Sequence, residues 1–385
     1  MRILLSCLQG STIHTLPAYG FWRRYFVQGL CEAGHEVLEV PGADWPEGLT
    51  CARDVELQAW RARTWQAVLD FAVRESKDRP IHLFLGYLYP KQVEASAILE
   101  LQRRGIACIN FFCDNVREFR AVPPEYKPFA LHWVPEFEAL PMYRAAGLPH
   151  VHLPMPCWIP IELREEPSTE AEPPTFVGSA DILRRDLFAR ALQAGGDFVI
   201  RGRGWMDGPA DPCELRKARS ASEMLLNQVA AVRSGGLGAL VTKIRDRLHP
   251  LNSPPIPASN IREPPSTADE YLRMTREAVV AVGINRVPTQ RTVNRRPLAY
   301  SRLRDIEAPM LGACYLTEWT EGLSRLYQLG TEIETYRTAD ELSAKLRDLT
   351  ADPSRRQSMR RAARSRALAE HSLARAMSKI EEIVA

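Results

Sequence analysis

Short apolar runs alternating with longer segments of helical spacing constrain this chain more than any other feature. Residues 2–8 form a run too apolar for a strand with one wet face, as expected where a strand is buried on both sides. A turn at Gln9-Gly10-Ser11 follows. Residues 19–33 then place Phe21, Tyr25, Phe26 and Leu30 on one helical side. The rhythm repeats, with strands predicted at 36–40, 81–85, 106–112, 132–134 and 150–153 and helices at 55–75, 92–104 and 136–146. Strands that alternate with helices imply a parallel sheet covered on both faces.

Residues 164–174, REEPSTEAEPP, break the rhythm with a linker composition. The alternation then restarts, with strands at 175–177, 197–201, 278–284 and 313–316. Helices are predicted at 179–194, 302–311, 339–351 and 353–369. The expected organisation is an N-terminal Rossmann-like domain over 1–163, a linker at 164–174 and a second such domain over 175–367. An insertion at about 206–260 carries a helical piece at 221–248, and a C-terminal helix at 368–385 is open to crossing back to the first domain. A chain of 385 residues fits two domains.

The eight cysteines are scattered and form no C-x-x-C pair, so they read as reduced, mostly buried thiols. No run of about 18 apolar residues is long enough to span a membrane. The first residues fit a buried strand better than a leader peptide. A cytoplasmic protein is the expectation. A net charge of +3 argues against a dedicated nucleic-acid binder. It hides seven arginines against Glu370 alone within 355–375. That stretch admits two uses: a solvated helix face, or peripheral contact with an anionic membrane surface, such as the inner membrane face, or with a polymer.

In open parallel sheets ligands bind beyond the carboxyl ends of the strands, so the residues just after each strand are the ones to search. Phe176-Val177-Gly178-Ser179 ends one strand with a glycine and a small hydroxyl residue, which suits either close approach of a ligand or an ordinary turn into a helix. Arg201-Gly202-Arg203-Gly204-Trp205 combines freed backbone with two planar cationic forks, suited to phosphate oxygens or to solvent. Arg304 and Glu307 stand three apart on one face of a helix expected to start near Tyr300 or Ser301. The pair reads as a ribose-diol clamp or as a plain salt bridge, and spacing alone favours the salt bridge.

The motifs from 175 onward, taken as a set, resemble the spore-maturation CgeB-like glycosyltransferases of the GT-B superfamily. The similarity rests on Val282-Gly283-Ile284-Asn285, Arg304-Asp305-Ile306-Glu307, Gly312, Leu316-Thr317-Glu318, Gly322-Leu323, residues 336–342, and the arginine-rich helix ending at His371. Phe176–Ser179 and Gly202–Trp205 match as well, whereas the N-terminal half matches in rhythm only. The resemblance implies two Rossmann-like domains with parallel sheets facing across a cleft, the second holding a nucleotide-sugar donor. It implies donor contacts at Gly178, Ser179, Arg201, Arg203, Gly204, Asn285, Ser301, Arg302, Arg304, Glu307 and Thr317. Glu307 would bind the ribose and the turn at Ser301-Arg302 the pyrophosphate. Many retaining enzymes of this superfamily carry a second glutamate eight residues upstream, where this chain has Ala299, so stereochemistry stays open.

On the acceptor side the candidates are Gln9, Gly10, Ser11, Tyr87, Tyr89 and Asn115, with Asp114 and His14 for catalysis. His14 reads equally as a turn residue. No D-x-D metal motif is present, so no cofactor is expected beyond the donor itself. The acceptor is unidentified. Rival expectations are a nucleotide-sugar epimerase or phosphorylase of the same fold, or a non-catalytic binder of anionic surfaces or nucleic acid through 355–375.

Overall fold

A computed structural model describes residues 1–10, 19–167, 169–206, 253–287 and 297–384. Ser11, His14 and nearly all of the predicted insertion, with its helical piece, lie outside the described residues. The chain divides into two compact units. Unit 1 comprises Met1–Pro160, Ser301–Glu307 and Ser365–Ala385, and unit 2 comprises Ile161–Tyr300 and Ala308–Arg364.

In unit 1 the described strands are β1 (Arg2–Ser6), β2 (Glu36–Leu38), β3 (Leu83–Gly86), β4 (Ala107–Phe111), β5 (Leu131–Trp133) and β6 (His150–Val151). They pair in parallel in the order β2-β1-β3-β4-β5-β6. The helices are α1 (Tyr19–Glu32), α2 (Glu47–Thr50), α3 (Asp54–Glu75), α4 (Ala95–Arg103), α5 (Asn115–Glu118) and α6 (Leu140–Ala146). Every residue of β1 is buried, as its apolar run requires. The core is rich in aromatic rings. Trp22, Phe26, Phe111 and Trp133 meet edge to face around the sheet centre.

Two helices begin later than their periodicity predicts. Pro90–Gln92 forms a 3-10 turn, fixed by the Gln92 amide, which accepts from the Tyr89 N–H at 2.9 Å and donates to the Trp45 carbonyl at 2.7 Å. α4 therefore starts at Ala95. Glu136 stays outside α6, ahead of a 3-10 turn at Phe137–Ala139.

Unit 2 holds β7 (Thr175–Val177), β8 (Val199–Arg201), β9 (Ile261–Arg262), β10 (Ala281–Val282), a hairpin of β11 (Arg286–Val287) and β12 (Leu298–Ala299), β13 (Tyr315–Glu318) and β14 (Glu334–Tyr336). Its described helices are α7 (Ile182–Gln193), α8 (Ala268–Glu277), α9 (Arg304–Met310), α10 (Leu323–Leu326), α11 (Ala339–Ala351) and α12 (Pro353–Glu370), and α13 (Leu373–Val384) follows in unit 1. α9 and α12 each cross a unit boundary along the chain. The sheet order β14-β13-β10-β7-β8-β9 is parallel throughout. Numbered within the unit it is 3-2-1-4-5-6, the doubly wound order of dinucleotide-binding domains. The sequence reading lacks β9, β11, β12 and β14. The first three have two residues each, too few to show a period, and Glu334-Thr335-Tyr336 is polar by composition although buried.

The arginine stretch has a structural use. Arg360 is buried and donates to the carbonyls of Arg276 (3.0 Å), Ala278 (2.6 Å) and Gly312 (3.0 Å), and pairs with Glu170 at 3.1 Å. Those groups precede β7, β10 and β13, so Arg360 ties together the amino-terminal edge of the unit 2 sheet. Arg356 binds Glu170 through two nitrogens, and Arg361 pairs with Glu166 at 3.0 Å. Arg355 pairs with Glu334, and Arg366 with Glu370.

His132 lies fully buried in β5, between the rings of Tyr126, Phe129 and Tyr143, and neither ring nitrogen has a hydrogen-bond partner. Burial pushes its imidazole down to about 4. A lowered folded value gives stability that is complete above the unfolded pKa of about 6.5 and is lost as pH falls through about 4. The loss amounts to about 3 kcal/mol. Replacing His132 with Phe is expected to remove that part of the acid-side slope, read by urea unfolding at stepped pH. An unchanged slope between about pH 6.5 and 4 would show that His132 does not titrate this way.

Candidate functional site

The crevice of unit 2 opens where the chain reverses direction across the sheet, between β7 and β10. On the β7 side, the backbone of 178–180 continues the ladder with 201–203. Gly178 N–H donates to the Arg201 carbonyl at 2.8 Å, and Ala180 N–H to the Arg203 carbonyl at 2.9 Å. The buried Trp205 indole donates to the Gly178 carbonyl at 2.7 Å. A Cβ on Gly202 would stand 2.0 Å from that same carbonyl oxygen, so only glycine fits. Arg201 is buried, pairs with Glu172 at 2.9 Å and reaches the Glu263 carbonyl at 3.3 Å. Arg203 and Ser179 are exposed, and Gly204 follows with a φ of +77°. Arg201 and Arg203 border an open groove of about 730 Å³ shared with Arg262 and Glu263.

On the β10 side, Asn285 is buried. Its amide donates to the Glu318 carbonyl at 2.8 Å and to Thr317 Oγ1 at 3.4 Å. The Glu318 carboxylate accepts the backbone N–H groups of Asn285 (3.3 Å) and Arg286 (3.0 Å) and pairs with the Arg286 side chain at 2.5 Å. The structure therefore brings Asn285 and Thr317 together around Glu318. The reading of single strand-end residues did not rank that acid, although the Thr317-Glu318 pair was visible.

The helix with Arg304 and Glu307 starts at Arg304, not near Ser301. The hairpin β11/β12 keeps the chain extended up to Ala299, and the buried Asp305 carboxylate accepts the Arg302 N–H at 2.9 Å, closing a turn ahead of the helix. Ser301 and Arg302 thus lie in that turn. α9 ends in a left-handed Gly312 (φ +70°), with Ala313 N–H donating to the Ala308 carbonyl at 3.0 Å. Glu307 is buried, and its Oε1 accepts the Tyr25 hydroxyl within unit 1. Arg304 is half-buried.

The carboxyl edge of the unit 1 sheet carries the other candidates. Gln9 turns its amide back onto the chain, accepting from Cys7 N–H at 2.6 Å and donating to the Leu5 carbonyl at 2.8 Å. Gly10 follows it. Leu8 holds a φ of +60°, an uncommon conformation for a leucine. Tyr87 is buried with its hydroxyl 3.4 Å from Cys113 Sγ, and burial raises the hydroxyls of Tyr87 and Tyr89 above the usual range. Asn115 is held between the Phe112 carbonyl (2.7 Å) and the Tyr143 hydroxyl (2.8 Å). Asp114 is half-buried at the start of α5.

Beside Asp114 lies Glu136, which the sequence reading placed inside a helix. It is 0% exposed, Oε2 accepts the Val116 N–H at 3.3 Å, and Oε1 has no hydrogen-bond partner. Burial first, and then the Asp114 charge, raise its carboxyl to about 8. Among the described residues, no cluster of three His, Cys, Asp or Glu is placed to hold a metal, and no helix is long and apolar enough to cross a membrane.

A family model described as glycosyl transferase-like matches residues 258–382. Solved structures align with nearly the whole chain. The sucrose-phosphate synthase of Thermosynechococcus elongatus matches at TM-score 0.59 and 14% identity, covering 99% of this chain and 98% of its own. The α,α-trehalose-phosphate synthase of Burkholderia vietnamiensis matches at 0.54 and 11%, covering 100% and 99%. The Anabaena protein HepE, in complex with UDP and glucose, matches at 0.55 and 11%, also covering 100% and 99%. The fold is GT-B. The comparison with curated proteins gives no match.

In this GT-B chain the fit of Gly202 against Gly178 can be tested directly. Gly202→Ala would force apart the two backbones that carry the 178–180 and 201–205 loops. The expected loss is at least about 2 kcal/mol, measured by chemical unfolding. A variant as stable as wild type would show that this approach is not as tight as described.

Proposed function

We propose that the chain is a glycosyltransferase that moves a hexose-like sugar from a nucleoside-diphosphate sugar to an acceptor hydroxyl. The observation that carries this reading is the transferase-family match over 258–382, which takes in Asn285, Arg304, Glu307 and Thr317. Within GT-B we assign the chain to the CgeB-like group, on the motif set running from Asn285 to His371. That HepE is described with UDP and glucose supports a nucleotide-sugar donor here as well. The donor belongs at the β7/β10 crevice, where Gly178 and Ser179 leave room for close approach and the exposed Arg203 supplies a fork for diphosphate oxygens.

Glu307 is the proposed ribose ligand. A carboxylate accepts several hydrogen bonds at once, so the ribose diol would join the Tyr25 hydroxyl there. Arg304, three residues earlier on the helix, would orient it. Asp114 is the proposed acceptor-side carboxylate. The donor's diphosphate would be held by cationic side chains and backbone N–H groups, with no metal or other cofactor. The pairing of Arg355, Arg356, Arg360 and Arg361 with protein carboxylates weighs against a surface-binding role for 355–375. We place the reaction in the cytoplasm.

A thermal-shift panel of UDP-, GDP- and dTDP-sugars is expected to name the donor through a raised unfolding midpoint. Glu307→Ala should weaken binding of that nucleotide by one to a few kcal/mol, roughly the loss of a charged hydrogen-bond partner, measured by calorimetry. Equal binding by both proteins would remove Glu307 from the donor site. Binding by neither would remove the transferase assignment.

A further inference from the structure

α1 buries an aromatic face in unit 1. Phe26 meets Phe111 and Trp133 edge to face, and Trp22 meets Tyr87 and Phe111 in the same way. Tyr25 is 4% exposed, with its ring 5.7 Å from that of Phe21. Packing asks only for a ring there, so the hydroxyl needs an account of its own. It donates to Oε1 of Glu307, 282 residues further along the chain. Glu307 is 3% exposed, and its backbone is fixed in α9. Its N–H donates to the Leu303 carbonyl at 2.9 Å, and Ile306 and Ala308 on either side are buried. The freedom left to the acid lies in its side-chain torsions, and a hydrogen bond at Oε1 restricts them. A hydroxyl suits that task. It takes one of roughly four lone-pair positions on a carboxylate and leaves the negative charge in place, so further O–H groups can still bind. A ligand that meets an acid already held does not have to order it, and binds more tightly for that reason.

We propose that Tyr25 is a positioning residue for the donor: its hydroxyl holds the Glu307 carboxylate in the orientation that accepts the ribose diol. This rests on the reading of Glu307 as the ribose ligand. Recognition of the ribose then draws on both ends of the chain, through a helix that packs among the unit 1 aromatics. A hydroxyl that served only to satisfy a buried acceptor would stabilise the fold and leave the choice between nucleotides alone.

The test is calorimetry on the full chain with UDP, GDP and ADP, each beside its dideoxyribose form. For whichever base wild type binds most tightly, Tyr25→Phe is expected to weaken the ribose form about tenfold, the scale of one hydrogen bond to a charged group. The dideoxyribose form has no diol to offer Glu307 and should bind Tyr25→Phe and wild type alike. Loss of affinity for both forms by the same factor, or for neither, overturns the proposal. A merely structural hydroxyl gives one of those two results, with a lowered unfolding midpoint alongside. In the double variant with Glu307→Ala the two losses should not add, because Tyr25 acts through Glu307, and additive losses would overturn the positioning role.

Glu307→Ala, titrated with the same pairs, separates the proposal from the reading beneath it. A ribose-dependent loss in Glu307→Ala without one in Tyr25→Phe overturns the positioning role and leaves the ribose ligand standing. No ribose-dependent loss in Glu307→Ala, or no nucleotide bound by wild type, overturns the ribose reading and the proposal with it. Should Tyr25→Phe fail to fold, the full chain with fluorotyrosine placed at position 25 decides. Its fluorine resonance should shift on saturation with the ribose form and hold still with the dideoxyribose form. Equal shifts, or none, overturn the proposal.

Discussion

Parallel pairing of strands buried on both faces sets the terms for everything else in this molecule. Such strands can carry little polarity along their length, so charged and hydrogen-bonding side chains collect at the two edges. The amino-terminal edges are closed by arginines. Arg2, at the start of β1, gathers the Glu75 carbonyl at 2.9 Å and Glu36 at 3.0 Å, and also reaches the Arg79 carbonyl. Arg360 does the same beneath β7, β10 and β13. Both are buried cations that satisfy several carbonyls at once, which suits a planar fork of five donors. With those edges closed by structural contacts, the candidate residues all lie at the carboxyl edges.

The carboxyl edge of unit 2 is built by close approach. Gly202 lets the β8 loop lie against the Gly178 carbonyl, and Gly283 lies where a Cβ would meet the Tyr315 hydroxyl at 2.1 Å. Thinning the backbone on both sides of the switch point makes the crevice, and the Asn285–Glu318–Arg286 network then fixes one wall. Several residues chosen from sequence for ligand contact sit at a carboxyl edge of a sheet but have bonded their polar ends to the protein. Arg201 faces Glu172, and Gln9 and Asn115 hold backbone carbonyls. Arg203 and Ser179 remain exposed beside them.

The architecture was legible wherever a strand was long and apolar. Residues 2–8 and 106–112 announced β1 and β4, and the order of strands and helices followed. β9, β11 and β12, two residues each and outside any longer apolar run, gave no period to read, and β14 was hidden by its polar composition. The carboxyl edges of the sheets were legible too, since they follow from strand direction alone. What each edge residue does with its side chain was not, because the partners are remote in sequence: Glu170 for Arg356 and Arg360, Tyr25 for Glu307. Glu136 had only a weak signal, an acid three residues past an apolar strand, and the pattern of the following helix absorbed it.

β5 shows how the same burial acts on two groups of opposite chemistry. His132 lies within the strand and Glu136 just beyond it, and both are held neutral because their charged forms cannot be solvated there. For the histidine this gives stability that is lost as pH falls from about 6.5 through about 4. For the glutamate, whose folded value is raised, stability is complete below the unfolded pKa of 4.5 and is lost as pH rises through about 8. The two losses overlap between these unfolded values and work against each other. Taken together they place the most stable point of this strand near pH ~5.5, where neither group is asked to charge in the fold. At neutral pH the histidine no longer opposes folding, but the glutamate already does. A chain that keeps an acid under those conditions carries a standing cost at the sheet edge beside Asp114. The orphaned Oε1 of Glu136 adds to that cost. Neutral glutamine could hold Val116 equally well, so holding the helix turn does not account for the acid, and its proton is the property that distinguishes it.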